Sequence, residues 1–121
     1  MNRGEPVHAE VDTNDASSGT VFTIYPMAST TARSLAAAEV FYITDILLDV
    51  PEAEGAVKIV ADEDANGKRI FKATFAAQTA GGTTVTHHFV TPFACPKGVV
   101  PKLIAPAGQV DCVLCGFVLG A

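Results

Sequence analysis

The sequence predicts an all-β domain, an antiparallel sandwich of about eight strands, and three observations carry that prediction. Between residues 21 and 119 the chain runs through about seven or eight short stretches of β-branched and aromatic residues separated by turn chemistry. Asn66-Gly67 stands between two alternating runs, the strongest local signal for a β-hairpin because both residues tolerate positive φ. The length of 121 residues fits one domain, large enough to bury the apolar side of its strands without disulfide or metal staples.

The elements follow in order. The first twenty residues, with Gly4, Pro6, Asp12, Asn14, Asp15, Ser17, Ser18 and Gly19, are polar and show neither a two-residue nor a 3.6-residue apolar rhythm. They are expected to form an extended arm, 1–20, outside a sandwich domain spanning 21–121. Such an arm lies along a partner or folds back on its own domain. Residues 21–25 alternate β-branched, aromatic and Thr side chains and read as a first strand ended by Pro26. The helix formers Leu35, Ala36, Ala37, Ala38 and Glu39 are too few for a helix and open directly into Val40, Phe41 and Tyr42, so 32–39 reads as a loop or single turn.

Residues 40–50 form the longest strand candidate, where Asp45 and Asp49 interrupt an apolar run and Pro51 stops it. Residues 56–61 and 69–75 form the two arms of the hairpin. In the second arm Phe71, Ala73 and Phe75 share one face, and Ile70, Lys72 and Thr74 the other. Gly81 and Gly82 mark a turn, 83–90 a strand, 99–105 an edge strand containing Pro101, and 108–119 a closing strand. Both sides of that last run are apolar, which places it centrally or against a neighbouring subunit.

Composition narrows the function. A formal charge of −5, with eight Lys and Arg residues in all, disfavours nucleic acid and anionic lipid, since binding to either depends on neutralising a polyanion. No apolar stretch approaches the ~20 residues of a spanning helix, and no secretory segment opens the chain. Neither a nucleic-acid partner nor a membrane is expected. Three cysteines, Cys95, Cys112 and Cys115, are expected as buried thiols in a reducing compartment.

Four features bear on chemistry. Asp62, Asp64, Asn66 and Gly67 repeat the first half of a calcium loop, but its twelfth position is Ala73 where a bidentate Glu is required. An acidic hairpin tip explains the same residues. Cys112 and Cys115 have C-x-x-C spacing without a second ligand pair, and three apart in a strand they point to opposite faces. His87 and His88, adjacent in a strand, also face opposite ways, one expected inside and hydrogen-bonded, the other in water. Neither has an Asp or Ser partner close in sequence. A cupin-like or hydrolytic site would need one of them to meet Asp45 or Asp111 across the fold. The fourth feature is an apolar excess, which a thick core or a covering chain accounts for. Phosphate loops, dinucleotide fingerprints and nucleophile elbows are absent from the sequence. The expectation is a protein that is not an enzyme, with no catalytic residues, no cofactor and no metal.

The stretch 36–121, carrying VFYITDILLDV, TTVTHHFVTPFACPKG and GQVDCVLCGFVLG, resembles the small β-sandwich virion proteins of tailed bacteriophages. The resemblance rests on soft patterns of strands and turns, and the Cys112 and Cys115 pair departs from it, since small aliphatic residues or Thr are usual there. It implies a jelly-roll-like sandwich serving as a head decoration, or cement, protein that binds the major capsid protein and stabilises the shell, or as a tail or fibre component. It also implies a homotrimer on the capsid surface of the virion, made in the host cytoplasm. An arm of this kind reaches onto the major capsid protein or a neighbouring virion protein, which points to Asn2, Arg3, Glu5, Val7, Glu10 and Val11 as contact residues. A carbohydrate-binding β-sandwich module is the alternative of another class, weakened by the lack of Trp.

Overall fold

The structure is a computed structural model, and it describes residues 4–27, 29–50, 55–61, 69–75, 83–106 and 108–120. Among the described residues there are nine strands: β1 (Glu5–Thr13), β2 (Thr20–Val21), β3 (Thr23–Pro26), β4 (Val40–Val50), β5 (Gly55–Val60), β6 (Arg69–Phe75), β7 (Thr83–Ala94), β8 (Lys102–Ile104) and β9 (Val110–Leu119). They form a five-stranded sheet in the order β3-β1-β9-β4-β7 and a four-stranded sheet in the order β2-β8-β5-β6. All pairings are antiparallel. With β3 set aside as an added edge strand, the pairs nest as β1 with β9, β2 with β8, β4 with β7 and β5 with β6. A single long hairpin wound into two sheets produces this nesting, which is the topology of a jelly roll.

Alternation sends one side of each long strand into the core. Val7, Ala9 and Val11 of β1, Phe41, Ile43, Ile46, Leu48 and Val50 of β4, and Val110, Cys112, Leu114 and Val118 of β9 are buried. They meet Val57, Ile59 and Leu103 of the four-stranded sheet in one continuous cluster. Each large member contributes about 1.5–3 kcal/mol by leaving water. As predicted, the closing strand is central, between β1 and β4. The segment 32–39 contains no helix. Arg33 pins this loop, donating from Nη2 to both Glu39 carboxylate oxygens at 2.8 Å, while its backbone N–H donates to the Ile24 carbonyl at 2.8 Å.

Four expectations need correction. Residues 5–13 are not an arm outside the core: β1 pairs over its whole length with β9 and over four residues with β3. Its weak apolar side, Val7, Ala9 and Val11, suffices because both neighbouring strands supply the rest of the surface. The run 21–25 splits at Phe22, which is buried and whose N–H donates to the Pro101 carbonyl at 3.0 Å, so β2 and β3 fall in different sheets. Residues 102–104 form an inner strand between β2 and β5, not an edge; Pro101 lies just before it and removes no ladder donor. Strand β7 runs on through Pro92 to Ala94, tolerated because β7 is an edge strand and because its register against β4 slips between Ile43 and Asp45.

Candidate functional site

The chemically rich surface is the outer side of the five-stranded sheet. Its middle row runs across all five strands as Tyr25, His8, Cys115, Asp45 and His88, each directly opposite the next. The irregularity at Thr44 creates it, since the residue that β4 has in excess of β9 turns Asp45 outward between β7 and β9. Asp45 Oδ1 lies 2.8 Å from His88 Nδ1, and the Thr44 hydroxyl lies 2.9 Å from Asp45 Oδ2 and 3.1 Å from the Cys115 carbonyl oxygen. The bond from His88, with that from Thr44 next, holds the Asp45 carboxyl below its ordinary value. A shallow depression of about 260 Å³ lies here, lined by Asp45, Ile46, Leu47, Thr86, His87, His88 and Cys115.

Imidazole, acid and thiol therefore do meet, through strands far apart in sequence. Their order decides what they can do. In a nucleophilic triad the imidazole stands between acid and nucleophile so that it can take the nucleophile's proton. Here Asp45 stands in the middle, with His88 on one neighbouring strand and Cys115 on the other, so imidazole and thiol are about two strand spacings, roughly 10 Å, apart. Partial burial pushes the Cys115 thiol up, and the Asp45 charge pushes it further the same way. A thiol so placed stays protonated and is a poor nucleophile. Among the described residues no group of three His, Cys, Asp or Glu side chains is arranged to hold a metal ion.

A second row, four residues further along each strand, sets Asp12, Asp111 and Asp49 directly opposite one another on β1, β9 and β4. Like charges so placed repel. Gln109 relieves part of the repulsion, its Nε2 donating to Asp12 Oδ1 and, at 2.9 Å, to Asp111 Oδ1, while Thr84 Oγ1 donates to Asp49 Oδ1 at 3.2 Å. Loss of solvation, followed by the hydrogen bond shared with Asp12, raises the Asp111 carboxyl above its ordinary value. Between and beyond these rows the same face carries Val113, Leu47, Tyr42 and Phe117; the Tyr42 and Phe117 rings stack at 5.0 Å and His8 on Tyr25 at 5.3 Å, so each ring covers a face of its neighbour.

The contact residues expected for an arm do not come together. Asn2 and Arg3 lie outside the described residues. Glu5 is exposed at the start of β1, 3.4 Å from Arg33, Glu10 is exposed on the outer face, and Val7 and Val11 point into the core, where no partner reaches them. The calcium-like residues Asp62, Asp64, Asn66 and Gly67 also lie outside the described residues. Cys112 and Cys115 diverge as expected, one buried and one exposed, which corrects the expectation of three buried thiols. His88, the outward one, is the hydrogen-bonded histidine, whereas His87 packs its ring against Phe71 and Phe89 at the sandwich edge. The pairing of Asp45 with His88 spans 43 positions and left as its sequence trace the two acids, Asp45 and Asp49, breaking an apolar strand on one side. Comparison of the chain with protein-family models, with characterised proteins and with solved structures finds no match.

Proposed function

We propose that this chain is a structural protein of a tailed-phage virion, acting as a head decoration protein that binds the major capsid protein and stabilises the shell by adhesion. One observation carries the adhesive part of the reading. Beyond Asp111 the outward side of β9 carries Val113, Cys115 and Phe117, and Leu47 and Tyr42 of β4 lie beside them, giving apolar groups along the two inner strands of a broad exposed sheet. Apolar strips bordered by polar residues on otherwise soluble folds mark protein contacts. The triad-like cluster on that sheet is ordered against nucleophilic chemistry, which favours adhesion over turnover. The jelly roll is a fold shared by many viral coat proteins, and the likeness of 36–121 to small phage sandwich proteins narrows the assembly. A tail or fibre position uses the same adhesive surfaces.

The test is cosedimentation of the purified protein with tailed-phage heads assembled without their decoration protein. Saturable binding, with heads that then withstand higher temperature, is the expected result. Heads that bind none at any concentration, or hydrolytic turnover by the protein that is lost in Cys115→Ser, would refute the reading.

A further inference from the structure

The two sheets divide the charge of the strands between them. The strands of the five-stranded sheet contain six acids, Glu5, Glu10, Asp12, Asp45, Asp49 and Asp111, and neither Lys nor Arg. Those of the four-stranded sheet contain four bases, Lys58, Arg69, Lys72 and Lys102, and neither Asp nor Glu. Alternation fixes the sides. Glu10, Asp12, Asp45, Asp49 and Asp111 flank buried residues and face outward from one sheet, while Lys58, Lys72 and Lys102 flank Val57, Ile59, Ala73 and Leu103 and face outward from the other. Each face is frustrated on its own. Asp12, Asp111 and Asp49 stand opposite one another on one side, and Lys58 stands directly opposite Lys72 on the other. Like charges in directly opposed positions destabilise a sheet, and an opposite charge laid over each row relieves both.

We propose that the acidic outer face of the five-stranded sheet docks on the basic outer face of the four-stranded sheet of a second copy of this chain, so that copies stack head to tail. The inference deepens the adhesive reading by naming a partner for these faces. Apolar groups accompany the charges on both sides: Leu47, Val113 and Phe117 on one face, Ile104 and Ala56 on the other. Because the faces lie on opposite sides of a two-layer sandwich, the contact is heterologous and propagates, and does not close on itself as a two-fold contact would. The four strands of the basic sheet, two to seven residues long at about 3.4 Å per residue and about 4.8 Å apart, offer about 300 Å². That is less than half of the roughly 800 Å² that each side of a stable interface buries. The contact is therefore weak for one pair and gains strength in an array, where many copies are held side by side. The net charge of −5 opposes approach at long range, and the local match acts once the faces are within a Debye length, roughly 10 Å at 0.1 M salt.

Sedimentation equilibrium of the isolated protein tests this without any phage particle, so its outcome is separate from shell binding. At about 50 mM salt the weight-average mass should rise steadily above 12.6 kDa with concentration, and at about 1 M salt, where the Debye length is roughly 3 Å, it should return to that of the monomer. Two variants that leave the core untouched, Lys58→Gln/Lys72→Gln and Glu10→Gln/Asp12→Asn/Asp49→Asn, should each remain monomeric alone. Mixed in equal amounts they should give a dimer that grows no further, because each supplies the one intact face the other lacks. The proposal is overturned by a wild-type protein that stays monomeric at about 1 mM in low salt, or by association that survives about 1 M salt. A closed trimer, or a lysine variant that still self-associates, overturns it as well, since either requires a different contact.

Discussion

Substituting Gly116 with alanine probes the closest approach to backbone found at a described glycine. Gly116 lies in the middle of β9, opposite Ile43 on one side and Val7 on the other, just where β4 takes its irregular step. A Cβ built there would overlap the carbonyl oxygen of Tyr42 and would lie 2.9 Å from the Tyr42 carbonyl carbon and 3.2 Å from Ile43 Cα. All three are backbone atoms, so no rotamer change relieves the clash. Ordinary carbon contacts of roughly 3.5 Å, and carbon to oxygen contacts of roughly 3.3 Å, require β4 and β9 to part locally by upward of about 1 Å. Ladder bonds near 2.9 Å then stretch beyond hydrogen-bonding range. Two such bonds lost in the centre of the sheet, at about 1–3 kcal/mol each when the groups stay dry, give a loss of about 2–6 kcal/mol. For a domain of this size that corresponds to a fall in melting temperature of about 10–20 °C. Differential scanning calorimetry of Gly116→Ala beside Gly120→Ala, whose Cβ would meet nothing within 4 Å, is the assay. A Gly116→Ala protein that melts within about 2 °C of the parent would refute the register assigned to β4 and β9.

Three further outcomes follow from the same structure. Removing residues 1–13 takes out a strand paired on both sides, so the truncated chain should lose its cooperative melting transition by near-ultraviolet circular dichroism; a detachable arm would leave that transition intact. Asp111 has a folded value above its ordinary 3.8, so the native state binds its proton more tightly than the unfolded state and this group's contribution to stability declines as pH rises through that window. Asp111→Asn should therefore melt higher than the parent at pH ~7, by a few degrees, with the difference closing below pH ~4; thermal scans across that range check it. Iodoacetamide at pH ~8 should alkylate Cys115 slowly and leave Cys112, whose thiol burial pushes up to about 12, untouched until the protein unfolds. Asp45→Asn should speed the Cys115 reaction several-fold, read by mass spectrometry, and an unchanged rate would show that Asp45 does not hold the thiol protonated.

Strands whose apolar side is made of large residues were legible in the sequence. The bounds of β6 and the central place of β9 follow from alternation and from the two-sided apolar character of 110–119. Strand β1 was not, because Ala9 is a weak β-former and His8, Glu10 and Asp12 give its other side the look of a polar tail. Its partner lies about a hundred residues away, and local propensity holds no information about that pairing. The inner place of β8 was hidden for a related reason. Pro101 suggests an edge, yet the strand begins one residue later and needs no donor from it. The site was legible only in its parts. Asp45, His87, His88 and Cys115 were each notable as residues, but their order across the sheet depends on the register of three strands and on one extra residue at Thr44. The segregation of charge became visible only when each strand was assigned to its sheet.

The pairing of the first long strand with the last has a consequence for synthesis. Residues 110–119 fill the gap between β1 and β4, so until they leave the ribosome each of those two strands keeps one bare edge, on the side away from β3 and β7. The five-stranded sheet cannot close before this strand emerges, and the waiting chain is open to pairing with other nascent copies. A message that stalls before codon 110 should give a product that clumps or is degraded, whereas emergence of residues 110–119 lets the sheet zip shut from its middle.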